Sequence, residues 1–340
     1  MVVISKYSCD EFNAGPKAKV DIEEILNENV NIHLETLKFN AKVLKNKIGK
    51  FILYFKQLIF ALKISKIREE KIIQLPFRKI EFFLKNNKNI FIIHDIEGLR
   101  HNNFNILKQE INQYRKADYL IVHNDEMREY LIKKGIDKNK IKVLDIFDYL
   151  VKDNNEIINQ HNLKKIQVVY AGNLIGEKSP FLHQIDEKKM NFEFNLYGVG
   201  IKQDINEKMK YKGSFEPDIL PNKLEGDLGL VWDGNYDESD ENEGFKNYTK
   251  YNNPHKLSCY IAAGLPVIVW RKAAISDLVK KYNIGYTISN IYDINNIDFS
   301  DYNEKLKNVQ DLSKKVRSGY FTKRVMKEIF SDMGVNENEI

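Results

Sequence analysis

Short apolar runs of four or five residues alternate with stretches of helical spacing along the 340-residue chain. VVIS at 2–5, NIFII at 89–93, YLIV at 119–122 and VIVW at 267–270 are such runs. A strand that is apolar throughout is buried on both faces, which is typical of a parallel sheet covered by helices. The sequence therefore predicts an α/β protein built from doubly wound sheets.

The alternation is interrupted by a polar stretch rich in Asn and charge at residues 152–162, and then restarts. A chain of this length is enough for about two domains. We predict one Rossmann-like domain over residues 1–155, a second over 163–315 and a helical C-terminal segment over 316–340. Ligands of such sheets bind beyond the carboxyl ends of the strands, so a cleft between the two domains is the expected site.

The composition argues against several functional classes. A net charge of +5 is mild, and no module of interleaved aromatic and basic residues predicts a nucleic-acid partner. The two cysteines, Cys9 and Cys259, form no metal or disulfide framework, which favours free thiols in a reducing cytoplasm. No apolar run is long enough to span a membrane, and no signal-peptide pattern is present. We therefore expect a cytoplasmic protein.

Two polar motifs follow strands in the first half of the chain. Gly15 and Lys17, in the segment NAGPK, precede a predicted helix, where glycine lets backbone N–H groups approach an anion and lysine adds charge. His94 and Asp95 follow the strand at 89–93, a position suited to a general base or to a group that orients an acceptor hydroxyl. The alternatives are an ordinary helix-capping loop for the first motif and a capped strand end for the second.

Small and aromatic residues follow the strands of the second half. Gly172 in YAGNL permits close approach of a ligand or of the other domain, and Lys178 is placed to pair with a phosphate. LYGVG at 196–200 is not a dinucleotide fingerprint, because Gln203 stands where a third glycine is required. An aromatic loop at 213–217 is suited to lie against a nucleotide base. The candidate donor-binding residues here are Gly172, Asn173, Lys178, Tyr197 and Phe215.

The segment NNPHKLSCYIAAGLP at 252–266 predicts a helix that begins at Pro254 and ends at Gly264. Lys256 lies in its first turn, where a positive charge opposes the helix dipole. A diphosphate bound at that terminus removes the conflict, and a hydroxyl from Ser258 can add to the contact. The alternative is a surface lysine on a packing helix. The candidate donor-binding residues here are Asn253, His255, Lys256 and Ser258.

The motifs HDIEGLR, YAGNL, LYGVG, YKGSF, LGLVWDG and NNPHKLSCYIAAGLPVIVW resemble, in this order, motifs of the bacterial galactofuranosyltransferases of O-antigen and capsule assembly. The glucosyltransferases that modify serine-rich-repeat adhesins share a looser version. The resemblance covers nearly the whole chain. It implies a GT-B fold with two Rossmann-like domains facing a cleft and a C-terminal helix that crosses back to the first domain. It also implies a UDP-sugar donor, bound mainly by the second domain without a metal.

The resemblance also implies site residues. By motif, Lys178 and Lys256 hold the diphosphate, and Gly15 approaches the phosphates. Phe215 stands where the adhesin glucosyltransferases have a tyrosine at the nucleotide, and Asp95 is our choice of base. Two lysines and a helix N-terminus can neutralise the leaving UDP, so neither a metal nor another cofactor is expected. Inversion at the anomeric centre is expected from the family.

Two acidic features are interpreted as loops rather than metal sites. Asp233 lacks a partner carboxylate at DxD spacing, and we predict a loop residue that lines the cleft. The acidic run at 237–243 lacks the spacing and the glycine of a calcium-binding EF-hand loop. A mobile, solvated loop is predicted there.

Nine lysines and arginines are interleaved with large apolar residues between residues 41 and 71. In a helix this pattern is typical of a peripheral membrane surface. A packed helix with a lysine-rich solvent face fits the pattern equally well. The lipid-linked acceptors of the polysaccharide branch of the family favour the membrane.

The expected function is transfer of a hexose, with galactofuranose favoured, from a UDP-sugar to a sugar hydroxyl of a lipid-linked surface-polysaccharide intermediate. A UDP-glucose-dependent glucosyltransferase acting on a glycoprotein adhesin is one alternative, and a non-catalytic, transferase-like subunit of a partner enzyme is another. The expected partners are the donor, a glycan acceptor and the inner face of the plasma membrane, without nucleic acid. Whether copies of the chain form a homo-oligomer stays open.

Overall fold

The computed structural model describes residues 1–8, 15–29, 32–40, 46–77, 80, 84, 88–152, 165–176 and 178–334. The chain divides into two compact units, Met1–Leu144 with Phe321–Ile340 and Asp145–Tyr320. Apart from residue 152, the polar stretch at 152–162 that interrupts the alternation lies outside the described residues.

The first unit contains, in its described part, a parallel six-stranded sheet of order β2-β1-β3-β4-β5-β6. Two of its central strands, β3 and β4, are buried at every position, as strands covered on both faces should be. The strands are β1 (Val2–Ser8), β2 (His33–Phe39), β3 (Lys71–Gln74), β4 (Asn89–Ile92), β5 (Tyr119–Val122) and β6 (Ile141–Val143). The helices are α1 (Lys17–Asn29), α2 (Lys47–Ile64), α3 (Glu97–Arg100), α4 (Phe104–Tyr114) and α5 (Asp125–Lys133).

The second unit repeats this architecture with the strand order β12-β11-β10-β7-β8-β9, again parallel throughout. Strands β10 and β11 are buried at every position. The strands are β7 (Gln167–Asn173), β8 (Glu193–Val199), β9 (Met209–Gly213), β10 (Leu228–Val231), β11 (Val267–Trp270) and β12 (Gly285–Ile288). The helices are α6 (Phe181–Gln184), α7 (Gly244–Tyr248), α8 (His255–Ala262), α9 (Ile275–Tyr282) and α10 (Tyr302–Arg317).

The last helix, α11 (Tyr320–Met333), follows α10 after the break predicted at residues 318–319, where Gly319 has a φ of +75°. Arg324 donates from Nη2 to the carbonyl oxygens of Val143 and Leu144, both at 2.9 Å. Lys142 Nζ lies 2.6 Å from Asp332 Oδ2. The helix therefore packs on the first unit, as the family resemblance implies.

Both sheets reverse their winding direction beside their first strand, between β1 and β3 in the first unit and between β7 and β10 in the second. Right-handed crossovers on the two sides of such a point place their helices on opposite faces of the sheet. The carboxyl ends of the strands at that point frame a crevice in which ligands bind. The two reversal points are therefore the places at which functional side chains should be sought.

Helix α8 docks closely against the second reversal point. β7 and β10 pair only through Val168 and Val169, after which the Tyr260 hydroxyl of α8 accepts the N–H of Ala171 at 2.7 Å. The Tyr260 ring lies on Gly229, where an added Cβ would come within 2.3 Å of the ring carbon Cγ. The helix ends, as predicted, at a left-handed Gly264 with a φ of +67°. The contact between the Tyr260 ring and Gly229 contributes more to the short distance between α8 and the sheet than the small residues at 262–264 do.

Three short helices were not expected from the sequence. α3, α6 and α7 have four or five residues each, which is too short for an apolar period of 3.6 residues to show. The long helical stretch expected at 41–71 is α2, which ends at Ile64 before β3 begins, while residues 41–45 lie outside the described part of the chain.

Replacement of Tyr260 with phenylalanine tests the docking of α8. The ring is kept, but the buried N–H of Ala171 loses its acceptor, so the free energy of unfolding should fall by about 1–3 kcal/mol. Urea denaturation followed by circular dichroism measures the change. Tyr54→Phe, on the exposed side of α2, is the matched control and should stay within about 0.5 kcal/mol of the wild type. An unchanged unfolding midpoint for Tyr260→Phe would contradict this account.

Candidate functional site

Lys256 lies in the first turn of α8, at the carboxyl ends of β7 and β10. Its Nζ donates to Tyr170 Oη at 2.8 Å, to Asp233 Oδ1 at 2.9 Å and to the carbonyl oxygen of Trp232 at 3.2 Å. Burial by itself would lower the pKa of Lys256, but the Asp233 carboxylate and the Tyr170 hydroxyl raise it above the usual lysine value. The reversal point of the second sheet therefore holds a permanent cation.

Lys256 does not need a bound anion for compensation, because the Asp233 carboxylate already provides it, and the two side chains are only 18% and 14% exposed. The predicted contact of Lys256 with a diphosphate stays a prediction. Asp233 is therefore a fixed partner of the lysine at the end of β10 as well as a loop residue. The N-cap residue of the helix, Pro254, makes no side-chain hydrogen bond to the first turn. The N–H of Leu257 donates to the Pro254 carbonyl oxygen at 3.0 Å, and the positive end of the helix dipole lies at this terminus.

Two glycines open the strand ends next to this lysine. Gly172 has a φ of +148°, and an added Cβ there would lie 3.1 Å from Lys256 Cε. On the neighbouring strand Gly198 has a φ of +134°, and its added Cβ would lie 1.8 Å from the carbonyl oxygen of Gly172. The close approach predicted at Gly172 is therefore made, in this structure, by the Lys256 side chain.

The other candidates from these strands have different surroundings. Asn173 is exposed, and its Oδ1 accepts the N–H of Ile175 at 3.2 Å. Lys178 Nζ lies 5.0 Å above the centre of the Phe245 ring. Tyr197 is buried, with its hydroxyl accepting the N–H of Glu225 at 3.0 Å, and burial raises the pKa of Tyr197 to about 12.

Phe215 follows β9, and its ring centre lies 6.3 Å from that of Tyr197 at an angle of 44°. It also covers Gly213, where an added Cβ would meet the ring at 3.4 Å. The half-buried Phe215 ring is therefore held at the carboxyl edge of the sheet, whereas Tyr197 points into the core.

The remaining residues of the NNPHK motif face another part of the same unit. Asn253 Nδ2 donates to the carbonyl oxygen of Asp145. The His255 ring stacks on Tyr149 at 4.9 Å and meets the edge of Phe147 at 6.1 Å. Ser258 is buried. The motif thus directs its lysine to the strand ends and its Asn and His to the segment at 145–149.

The acidic run at 237–243 is not the mobile, solvated loop that was predicted. Glu238 accepts hydrogen bonds from Trp270 Nε1 at 3.0 Å and from Arg271 Nε and Nη2 at 3.2 and 3.1 Å. Burial would raise the pKa of Glu238, but these donors hold it at about 2. Lys272 forms an ion pair with Glu241 as well. The loop is closed onto the residues that follow β11.

Lys246, which is not among the candidates predicted from the sequence, contacts the same loop from its buried side. Its Nζ lies 3.6 Å from the centre of the Trp232 ring and donates to the carbonyl oxygens of Asn235 and Asp237 at 3.3 and 3.1 Å. Burial lowers the pKa of Lys246 to about 8 in spite of the carboxylates around it. In the sequence Lys246 lies between Trp232 and Trp270, and this position is the signal by which the residue could have been selected.

No group of three or more His, Cys, Asp or Glu side chains within the described ranges is arranged to hold a metal ion. The carboxylates nearest the candidate site are instead paired with cations, Asp233 with Lys256 and Glu238 with Arg271. His123, another histidine at a strand end, is fully buried, and its Nε2–H donates to the Ile93 carbonyl oxygen at 3.0 Å. Burial lowers the pKa of His123 to about 4.

The first unit carries a second polar cluster, at the reversal point between β1 and β3. Gln74 Nε2 donates to Ser5 Oγ at 2.8 Å and to the carbonyl oxygen of Lys19 at 3.0 Å. A carbonyl oxygen can only accept, so the amide is oriented with Oε1 toward His94 Nε2, at 2.8 Å. His94 therefore carries a proton on Nε2, and in the neutral ring Nδ1 is the basic nitrogen.

Neighbouring groups complete this cluster. Arg100 Nη1 donates to Asp95 Oδ2 at 2.6 Å, so the carboxylate chosen as base is part of an ion pair. Lys19 Nζ donates to the carbonyl oxygens of Lys6 and Gln74, and burial, together with the charge of Lys6, lowers the pKa of Lys19 to about 8. Gln74 and Lys19 were missed, although Gln74 is the polar end of an apolar strand.

The two candidates from the first loop lie on either side of the start of α1. Gly15 is exposed just before the helix. Lys17 is buried, and its Nζ lies 2.6 Å from Asp21 Oδ1 one turn further along. The positive charge of Lys17 is therefore paired with a carboxylate of its own helix.

Comparison with known proteins matches residues 1–146 to the N-terminal domain, and residues 168–329 to the C-terminal domain, of the Glucosyltransferase 3-like family. The β-1,6-galactofuranosyltransferase WbbI of Escherichia coli (strain K12) is 30% identical over 94% of this chain and 96% of its own length. Glucosyltransferase 3 of Streptococcus gordonii is 26% identical over 70% of each chain.

Solved structures share the architecture. The lipopolysaccharide outer core galactosyltransferase WaaB superposes with a TM-score of 0.62 at 14% identity, over 98% of this chain and all of its own. Anabaena HepE, in complex with UDP-glucose, has a TM-score of 0.61 at 12% identity, over 97% of this chain and all of its own. At such identities the likeness shows the fold alone, and the predicted GT-B class is confirmed. The chain therefore belongs to the Glucosyltransferase 3-like family and is a glycosyltransferase, as the resemblance in its motifs indicates.

Proposed function

We propose that this glycosyltransferase moves a hexose, galactofuranose in the first place, from a UDP-sugar to a sugar hydroxyl of a lipid-linked surface-polysaccharide intermediate. The observation that carries the proposal is the position of the Lys256 ammonium group, hydrogen-bonded to Tyr170, Trp232 and Asp233 at the reversal point of the second sheet. A galactofuranosyltransferase that matches nearly the whole chain at 30% identity supports the sugar. A structure of the same fold that binds UDP-glucose supports the nucleotide.

Departure of UDP develops negative charge on the diphosphate, and catalysis requires that charge to be met by fixed positive groups. Lys256 supplies an ammonium group held by Tyr170, the Trp232 carbonyl oxygen and Asp233, and in the proposal the diphosphate shares this cation with the Asp233 carboxylate. The first turn of α8 adds N–H groups and the positive end of its dipole. Lys178, beyond β7, is the second candidate cation, and the Phe215 ring offers a surface for the uracil. With these groups the transfer needs no metal.

His94 is the group that we propose as base, with Gln74 as its positioning residue. Gln74 Oε1 accepts the Nε2–H, so the neutral ring has its lone pair on Nδ1, and this is the atom that we propose to take the proton of the acceptor hydroxyl. The hydroxyl oxygen then forms its bond to the anomeric carbon from the face opposite UDP, which departs with the electron pair, so the configuration is inverted. Asp95, the first choice from the sequence, is bound by Arg100 and is better suited to orient the acceptor.

A second function has its own support. Two relatives at 26% identity, from Streptococcus gordonii and Streptococcus parasanguinis, are glucosyltransferases, and both family matches have a glucosyltransferase description. The alternative is therefore transfer of glucose from UDP-glucose to a glycoprotein adhesin. The two proposals share the nucleotide and differ in the sugar and the acceptor.

A donor screen separates the two proposals and tests the need for metal. UDP release is measured with UDP-galactofuranose, UDP-glucose and UDP-galactose, each with and without EDTA. We expect the highest turnover with UDP-galactofuranose and no effect of EDTA, because lysines neutralise the leaving group. A preference for UDP-glucose would favour the alternative. Loss of turnover in EDTA that manganese or magnesium restores would contradict the proposed chemistry.

The role of Lys256 can be tested by separating its ion pair with Asp233 from its proposed contact with UDP. Lys256→Met should weaken UDP binding about ten- to a hundredfold, because a charge-assisted contact is lost. It should also lower the free energy of unfolding by about 2–4 kcal/mol, because Asp233 is left unpaired. The double variant Lys256→Met/Asp233→Asn should regain much of that stability without regaining affinity.

Calorimetric titration with UDP and urea denaturation without ligand measure the two effects. Asp233→Asn alone is the matched control, since it keeps the cation and should retain UDP binding. Wild-type UDP affinity in the double variant would show that Lys256 is a structural cation only.

The base is tested by kinetics on paired variants. His94→Asn should lower kcat by a factor of about 100–10,000, as loss of a general base does, and leave UDP affinity unchanged. Gln74→Met keeps the volume but not the acceptor, so it should reduce kcat less and shift the acidic limb of the pH–rate profile. Asp95→Asn should reduce turnover modestly. Full loss of turnover in Asp95→Asn, with activity kept in His94→Asn, would move the base to Asp95.

A further inference from the structure

Helix α2 exposes an unusual amount of apolar surface. Seven of its large apolar side chains are between 48% and 74% exposed, whereas no other helix or strand in the described residues exposes more than one. Scattered apolar residues need no explanation on a soluble surface, but a continuous patch marks an interaction site. The seven are Ile48, Phe51, Ile52, Tyr54, Phe55, Ile59 and Leu62.

The exposed residues form a face of their own. Leu53, Ala61 and Ile64 are buried and attach the helix to the first unit. The exposed series 48, 52, 55, 59 and 62 recurs at intervals of four and three residues, so its members lie along one stripe. At about 100° per residue this stripe is on the side of the helix opposite Leu53 and Ile64. The helix is therefore apolar on two faces, of which the protein covers one.

Lysines border the uncovered stripe on both sides. By the same helical geometry Lys56 and Lys63 lie along one margin and Lys47 along the other, whereas Lys50 is on the opposite side of the helix. Lys63 also contacts Glu35 at 2.7 Å. Between Glu35 and Glu69 the sequence has nine lysines and arginines and no acidic residue. Long lysine stems cover apolar surface while their ammonium groups reach outward to negative charge.

We propose that α2 docks this face, here called the α2 stripe, into the surface of a membrane that contains anionic lipid. An apolar stripe bordered by lysines is the pattern of a helix that lies in the plane of the interface. Its 18 residues span about 27 Å, and none of the helices within the described ranges is long and apolar enough to cross a membrane. The lysines supply the attraction to anionic headgroups.

A second copy of the chain is the rival occupant, and the charges disfavour it. Two α2 stripes packed together would bring lysines of both copies to the same margins, with no carboxylate from the helix to pair with them. Like charges at that distance repel, whereas anionic headgroups neutralise them. The proposal is independent of the reaction, but it would bring a glycosyltransferase to the surface where lipid-linked glycans are found.

The test is co-sedimentation of the full chain with vesicles, without donor or acceptor. One set contains phosphatidylcholine alone, and the other equal parts of phosphatidylcholine and phosphatidylglycerol. We expect binding to the anionic vesicles that weakens as salt rises, because salt screens the lysines. Binding to both sets alike and insensitive to salt, or to neither, would overturn the proposal.

Two triple variants divide the contribution of the stripe. Phe51→Ser/Phe55→Ser/Ile59→Ser should weaken vesicle binding about tenfold or more, and Lys47→Gln/Lys56→Gln/Lys63→Gln about ten- to a hundredfold at low salt. The controls are Phe104→Ser, an exposed aromatic on α4, and Lys188→Gln/Lys307→Gln/Lys323→Gln, exposed lysines elsewhere; both should bind as the wild type does.

Light scattering of the wild type decides whether the α2 stripe binds a membrane surface or a second copy of the chain. A dimer in solution that the Phe51→Ser/Phe55→Ser/Ile59→Ser variant dissociates would assign the α2 stripe to a second copy and overturn the membrane proposal. A wild type that does not associate through the stripe supports it. The lipid and salt dependence of the wild type keeps the test valid if a triple variant fails to fold.

Discussion

A buried ammonium group has to be surrounded by acceptors, and Lys256 meets that requirement where the second sheet changes direction. A hydroxyl from β7, a carbonyl oxygen from the end of β10 and the Asp233 carboxylate receive its three hydrogen bonds. Without them, the cost of removing a cation from water would exceed what the rest of the helix contributes. The position of α8, the opening between the two strands and the charge offered to a ligand all depend on this contact.

The reversal points of the two units hold similar lysines with opposite properties. Lys19 of α1 donates to carbonyl oxygens of β1 and β3, as Lys256 does at the strands of the second sheet. Burial dominates at Lys19 and lowers its pKa to about 8, whereas the adjacent carboxylate raises that of Lys256. The lysine of the second unit is the one that we propose for the diphosphate. The first unit holds a hydrogen-bonded cluster built around Gln74 and His94, for which we propose proton transfer.

The acidic loop shows how neighbours change the meaning of a sequence. Carboxylates in a row usually repel one another and remain solvated, which is why residues 237–243 were predicted to be mobile. Arg271 and Lys272, about thirty positions away, and the buried Lys246 neutralise them from two sides. The loop becomes part of the structured rim at the carboxyl ends of β10 and β11. Of these three cations, Lys246 alone lies within a few positions of the loop in the sequence. Arg271 and Lys272 are too far along the chain for a helical or strand period to connect them with it.

Local periodicity was sufficient to predict the architecture. The apolar runs fixed the strands, the Pro254 to Gly264 signals bounded α8, and the strand ends pointed to Lys256 and His94, because each of these follows from residues only a few positions apart. The pairing of Lys256 with Asp233, of Tyr260 with Ala171 and of His94 with Gln74 joins residues 20 to 89 positions apart. The burial of Tyr197 also depends on a distant residue. Alternation along β8 does not show on which face of the strand the N–H of Glu225, which the Tyr197 hydroxyl accepts, will lie. The sequence by itself determined the parallel-sheet architecture and the bounds of α8, but not the short helices α3, α6 and α7. Only the tertiary structure decided which charges are compensated, because compensation depends on distances between elements that no local pattern contains.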